Sequence, residues 1–202
     1  GINTGDLVRK LRARDAHHAG TANWLAGHFA NALAGTRLTL MAANGVRQLL
    51  GAPRLAKASS VLRNLSGKRL PQWTAAMPQA AQPIRLTAPS ADQRPRVVYL
   101  AACVSRAMGP SFSDTEQVSL LDKTRGLLEK GGFQVVFPDD LDNLCCGQPF
   151  ASKGYAEQAD SKRQQLINAL LKASRGGLDP IYCDTSPCTL RLLQDGLDPR
   201  LK

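Results

Sequence analysis

No apolar run in this chain approaches the ~20 residues that a membrane-spanning helix needs, so no transmembrane helix is expected. The start carries no signal-peptide pattern and no initiator methionine, and Gly1-Ile2-Asn3-Thr4 reads as the middle of a longer protein. Aromatic residues are scarce, and the first 90 positions hold only Trp24, Phe29 and Trp73. Acidic residues are scarcer still there: Asp6 and Asp15 stand against 12 Lys and Arg, whereas residues 91–202 carry 14 of each sign. A basic half beside a neutral half suggests two units with separate jobs. Without interleaved aromatics, helix-turn-helix spacing or zinc-finger spacing, the basic half is not expected to bind nucleic acid. It is expected to dock onto another part of the protein, an acidic partner or a membrane surface. Histidine is limited to His17, His18 and His28. His18 and His28 lie nearly three helical turns apart, too far for one helix to bring them to one metal.

Turn residues divide the chain. Leu7, Val8 and Leu11 begin an amphipathic helix whose other face carries Arg9, Lys10, Arg12 and Arg14. Trp24, Leu25, Phe29 and Leu33 form an apolar stripe, and Gly35, Gly45 and Gly51-Ala52-Pro53 are expected to separate further helices near 36–50 and 54–66. Residues 1–66 therefore read as a helical segment, and 67–95, with Pro71, Pro78, Pro83, Pro89 and Pro95, as a proline-rich linker. From residue 96 the period changes. Arg96–Ala102, Phe133–Phe137 and Pro180–Asp184 read as strands. Helices are expected after Ser113-Asp114-Thr115-Glu116 as a capping box, over 155–174, and from Thr185. Strand–helix alternation predicts an α/β fold over 96–202, a parallel sheet with flanking helices, preceded by the all-helical segment.

The five cysteines are placed unusually. Cys103 ends the first strand, the adjacent pair Cys145-Cys146 and Gly147 follow the second, and Cys183 and Cys188 lie at the end of the third. In parallel sheets ligands gather beyond the carboxyl ends of the strands, so all five thiols are expected on one rim. An odd thiol count without a secretory signal argues for a reducing compartment rather than a disulfide framework. The preferred reading is an iron–sulfur cluster, because iron bound to sulfide prefers thiolate and cubane clusters usually take four cysteines. Cys188, in the first turn of a helix, would have its thiolate favoured by the positive dipole end. Alternatives are a zinc site, a redox disulfide such as Cys183 with Cys188, and buried free cysteines. A cysteine nucleophile is disfavoured because no histidine lies in this half.

Cys103, Cys145-Cys146-Gly147 and Cys188 resemble the cysteine-rich CCG domain of iron–sulfur oxidoreductases, among them the heterodisulfide reductases and the iron–sulfur component of glycolate oxidase. The runs Asn143 to Gly154 and Asp184 to Thr189 are similar to the C-terminal iron–sulfur portion of large FAD-linked D-lactate dehydrogenases. The opening Gly1-Ile2-Asn3-Thr4-Gly5 is similar to the residues directly after the last Cys-Pro of that family's ferredoxin-like segment. The resemblance implies an electron-transfer role, relaying electrons from an FAD held in an upstream part to a quinone or cytochrome. It also implies ferredoxin-like parts upstream, a second CCG half beyond Lys202, and a cytoplasmic location, peripheral to the inner membrane. The family pattern ends Cys-x-x-Cys, and Thr185 stands where the first of those cysteines would be. That departure favours a 4Fe-4S cluster on Cys103, Cys145, Cys146 and Cys188, with Cys183 a strand residue or spare ligand, expected to point away. Heterodisulfide-type redox catalysis and a zinc-binding or metal-free docking module are the alternatives.

Overall fold

The computed structural model describes residues 4–15, 19–70, 72–74, 76–84, 94–193 and 198–201. His17 and His18, and Pro71 and Pro89 of the proline-rich stretch, lie outside the described residues.

Four helices come first: α1 (Thr4–Arg14), α2 (Ala19–Gly27), α3 (Phe29–Leu50) and α4 (Ala52–Leu65). The sequence places breaks at Gly35 and Gly45, but α3 runs through both. An interior glycine costs about 1 kcal/mol relative to alanine, which packing readily outweighs. Here Phe29, Leu33 and Leu40 are buried along one face of α3 and keep it whole. Gly51 does end it, with a left-handed φ of 80° and Pro53 in the first turn of α4. Within the proline-rich stretch, β1 (Pro78–Ala80) forms an antiparallel pair with β3 (Met108–Ser111). The stretch is thus pinned to the second half through Pro78 opposite Ser111 and Ala80 opposite Met108.

The second half is the expected parallel sheet flanked by helices. Three strands, β2 (Arg96–Leu100), β4 (Gln134–Val136) and β5 (Ile181–Cys183), lie in the order β4-β2-β5. Val97 faces Val135 across one ladder, and Leu100 faces Cys183 across the other. The central strand is buried on both faces, as a near-continuous apolar run should be: Val98 and Tyr99 have no exposure. After β2 the chain forms α5 (Cys103–Ala107), then β3, then α6 (Leu120–Lys130). The capping box expected at Ser113–Glu116 lies instead in the turn after β3, where Asp114 accepts a hydrogen bond from the Ser111 amide at 2.7 Å. Ser119 is the true cap: its Oγ accepts from the Asp122 amide at 3.1 Å and donates to the Asp122 carboxylate at 2.6 Å. A 3₁₀ turn (Leu141–Asn143) leads into the Cys-Cys-Gly loop, followed by α7 (Gln148–Ala151), α8 (Ala156–Ala173) and α9 (Ser186–Leu193). Among the described residues no helix is long and apolar enough to cross a membrane.

Candidate metal centre

Because β2 is central, the segment leaving it has both β4 and β5 as neighbours, and the three cysteine-bearing segments meet at one rim. The five thiols form a string of neighbours: Cys103 with Cys145, Cys145 with Cys146, Cys146 with Cys188, and Cys188 with Cys183. The Sγ atoms of Cys146 and Cys188 are 3.2 Å apart although 42 positions separate them in sequence. All five are free; Cys145, Cys146 and Cys188 are buried, and Cys103 and Cys183 are half-buried. The sequence predicts that Cys183 points away, yet its side chain reaches Cys188. The cause is its position at the last residue of β5, where only Asp184 and Thr185 separate it from the start of α9.

Gly147 shapes the loop. Its φ of 84° is left-handed, and a Cβ there would lie 2.1 Å from the carbonyl oxygen of Ala159 on α8. Only glycine lets the loop press this closely onto the helix. The same turn aims amides at sulfur: the Gly147 amide donates to Cys145 Sγ at 3.4 Å, and the Gln148 amide bonds Cys146. Asp184 ties the far side, accepting from the Ala102 amide at 2.9 Å and from the Tyr99 hydroxyl at 3.1 Å.

The helical segment sits directly on this site. Phe29 and Phe150 pack at 6.4 Å between ring centroids, and one buried cluster joins Ala22, Phe29 and Leu33 to Cys145, Phe150 and Ala159. Asn143 accepts from the Ala30 amide at 3.1 Å, completing the start of α3, where His28 makes no side-chain cap. Arg37 donates to the Arg106 carbonyl at 2.9 Å and pairs with Asp142 at 3.0 Å. His28 stacks on Trp24, and its Nδ1 bonds the Trp24 carbonyl at 2.9 Å.

The protonation pattern follows the string. Cys103 is held below the ordinary thiol value, chiefly by a hydrogen bond from Cys145, with the Arg106 charge adding to it against burial. Cys145 and Cys146 are pushed up to about 12 and about 11, each first because it donates to its neighbour and then by burial. Cys188 and Cys183 are raised too, Cys188 through its bond to Cys146 and Cys183 through its bond to Cys188. A metal centre would have to take these protons off, since thiolates are the ligands.

Two neighbours went unnoticed in the sequence, Arg106 and Lys162. Arg106 is buried, donating from Nε to the Ala101 carbonyl at 3.1 Å and from its two Nη atoms to the carbonyls of Leu141 and Leu144, the latter at 2.5 Å. Lys162 is buried as well and donates to the Asn143 carbonyl at 2.6 Å. A lysine aligned with Ala159, Leu166 and Leu170 on one helical face was the available signal.

Among the described residues no three His, Cys, Asp or Glu side chains surround one point as a single metal ion would require. A string of thiols in contact offers soft sulfur donors of the kind that iron–sulfur groups and zinc both take. The Gly147 and Gln148 amides bond this sulfur, and Arg106 and Lys162 act on Cys145 electrostatically, surroundings that would suit an anionic iron–sulfur group. Comparison with family models, curated proteins and solved structures gives no match to this chain.

Proposed function

We propose that this chain is the iron–sulfur electron-transfer portion of a flavin-dependent D-2-hydroxy acid dehydrogenase, with D-lactate as the preferred substrate of the whole protein. The observation that carries the cluster reading is the meeting of five thiols from the ends of, and the segments after, three parallel strands. Cys103, Cys145, Cys146 and Cys188 would hold a 4Fe-4S cluster, and Cys183 stands beside Cys188 as a spare ligand. The cluster supplies one-electron transfer when bound. The protein supplies the rest: Gly147 and Gln148 present amides to sulfur, and Phe29 and Phe150 exclude water from Cys145. The hydroxy acid, the upstream FAD and the quinone or cytochrome acceptor are proposed on the likeness of Asn143–Gly154 and Asp184–Thr189 to the D-lactate dehydrogenases. The test is anaerobic reconstitution with iron and sulfide, followed by iron and labile-sulfide analysis and visible absorbance. Binding of about four irons per chain is expected; a chain that retains zinc and no labile sulfide overturns the reading.

A second reading is favoured by one contact. Cys146 and Cys188, at 3.2 Å, are close enough for two thiols to lose two electrons and two protons to a disulfide substrate and become a disulfide themselves. That is the heterodisulfide-type chemistry. It predicts that the metal-free protein consumes one disulfide per chain, with loss of two titratable thiols, and that Cys188→Ser abolishes this.

A further inference from the structure

Two cations are buried beside the thiols, and among the described residues neither has a buried counter-charge. Arg106 is 1% exposed and Lys162 is 4% exposed. Neutral acceptors take most of their N–H groups, and a buried ion without a buried counter-ion is costly. Among the described residues the one carboxylate near Arg106 is Asp142, at 3.7 Å; it is 49% exposed and lies closer to Arg37. Lys162 has no carboxylate at ion-pair distance among the described residues, and the carboxylate that acts on it from farther off is Asp140. The Lys162 Nζ bonds the Asn143 carbonyl and Gln165 Oε1, each at 2.6 Å, and lies 5.3 Å from the Phe29 ring centroid. The two cations also oppose each other electrostatically, so neither relieves the other.

Their placement is directional. Arg106 takes the carbonyls of Leu141 and Leu144, and Lys162 takes that of Asn143 between them. Together they clasp the turn leading into Cys145-Cys146 from two sides. Both also act electrostatically on Cys145, and Arg106 on Cys103.

We propose that Arg106 and Lys162 are positioning residues that compensate the charge of the thiolate-bound cluster and hold its reduction potential up. The proposal rests on the iron–sulfur reading above. Four thiolates make the bound centre anionic, and accepting one electron from a reductant makes it more so. A buried positive charge stabilises the electron-rich state more than the electron-poor one, and charge and hydrogen bonding near the sulfurs are known to set such potentials. Without Arg106 or Lys162 the reduced state loses that support, and the midpoint shifts to more negative values.

The experiment is an anaerobic dithionite titration of the reconstituted full chain, followed by visible absorbance. It compares the parent protein with Lys162→Met, Arg106→Gln and Arg106→Lys. The expected result is a negative shift of midpoint in Lys162→Met and Arg106→Gln, with Arg106→Lys closer to the parent because it keeps the charge. A merely structural role would lower cluster content or thermal stability and leave the midpoint in place. Unchanged midpoints at full cluster content in Lys162→Met and Arg106→Gln overturn the proposal and leave the iron–sulfur reading standing. Should Arg106→Gln fail to fold, Lys162→Met decides alone. A parent chain that takes up no cluster overturns the iron–sulfur reading, and this proposal with it.

Discussion

Replacing Gly147 by alanine tests the geometry of the thiol loop directly. Its φ of 84° places it where an L-residue costs about 1–2 kcal/mol. A Cβ would also stand 2.1 Å from the Ala159 oxygen and 2.9 Å from its carbonyl carbon. The obstacle is helix backbone, which has no rotamer to change, so the loop must lift off α8; overpacking of this kind adds about 1–3 kcal/mol. Gly176 is the control, because its φ is 76° and a Cβ there meets nothing within 4 Å. Gly176→Ala therefore carries the conformational cost alone. The difference between the two variants is then about 1–3 kcal/mol, or roughly 3–10 °C in melting temperature for a chain of this size. Thermal unfolding followed by circular dichroism measures it. Iron content after reconstitution should fall in Gly147→Ala and hold in Gly176→Ala. Equal melting temperatures for the two variants would show that Gly147 does not hold the loop against α8.

Other perturbations discriminate single contacts. Ser119→Ala should cost about 1 kcal/mol as a lost N-cap, whereas Ser113→Ala, exposed in the preceding turn, should stay within about 0.5 kcal/mol of the parent; equal losses in denaturant unfolding would return the cap to Ser113. Phe29→Ala should cost about 3–5 kcal/mol and speed alkylation of Cys145 in the metal-free protein, and an unchanged alkylation rate would remove Phe29 as the cover of that thiol. Cys146→Ser and Cys188→Ser should abolish labile-sulfide binding while Cys183→Ser retains most of it, a ranking that iron analysis of the three variants can reverse.

The strands and their cysteines were legible because both signals are local. Arg96–Leu100 is a short β-branched and apolar run, and Cys103 follows it by sequence alone; parallel pairing then brings the strand ends together as a matter of topology. The long helix α8 was legible for a similar reason, with Leu166, Ile167 and Leu170 at helical spacing. The features that were not legible depend on partners distant in sequence. Gly35 and Gly45 look like helix breaks until the buried stripe of α3 is seen to override them. The Ser113 and Ser119 boxes compete on nearly equal local terms, and β3, with its turn, claims the first. Pro78–Ala80 becomes a strand only because Met108–Ser111 lies opposite. Arg106 carries no local mark and Lys162 only its place on the apolar face of α8; the carbonyls of the 141–144 turn give both a reason to be buried.

The charge division near residue 90 does not correspond to a gap in packing. Asn143 completes the start of α3, Arg37 reaches both the Arg106 carbonyl and Asp142, and Gln158 on α8 donates to Asn23 on α2 at 2.6 Å. At the loop after α7, a Cβ on Gly154 would lie 2.5 Å from the Ala13 amide nitrogen, and Arg12 donates to the Ser152 carbonyl at 2.6 Å. The run from Asn143 to Gly154 is therefore gripped at both ends by the helical segment, with Cys145 and Cys146 between the grips. An irregular loop holding two adjacent thiols has few hydrogen bonds of its own to fix its shape, so its geometry must come from neighbours. Part of the basic segment's work is internal: Arg12 and Arg37 use their charge to hold the thiol loop. Other cations of the segment stay exposed to solvent, among them Lys10 and Arg14 on α1 and Arg54, Lys57, Lys68 and Arg69 on and after α4.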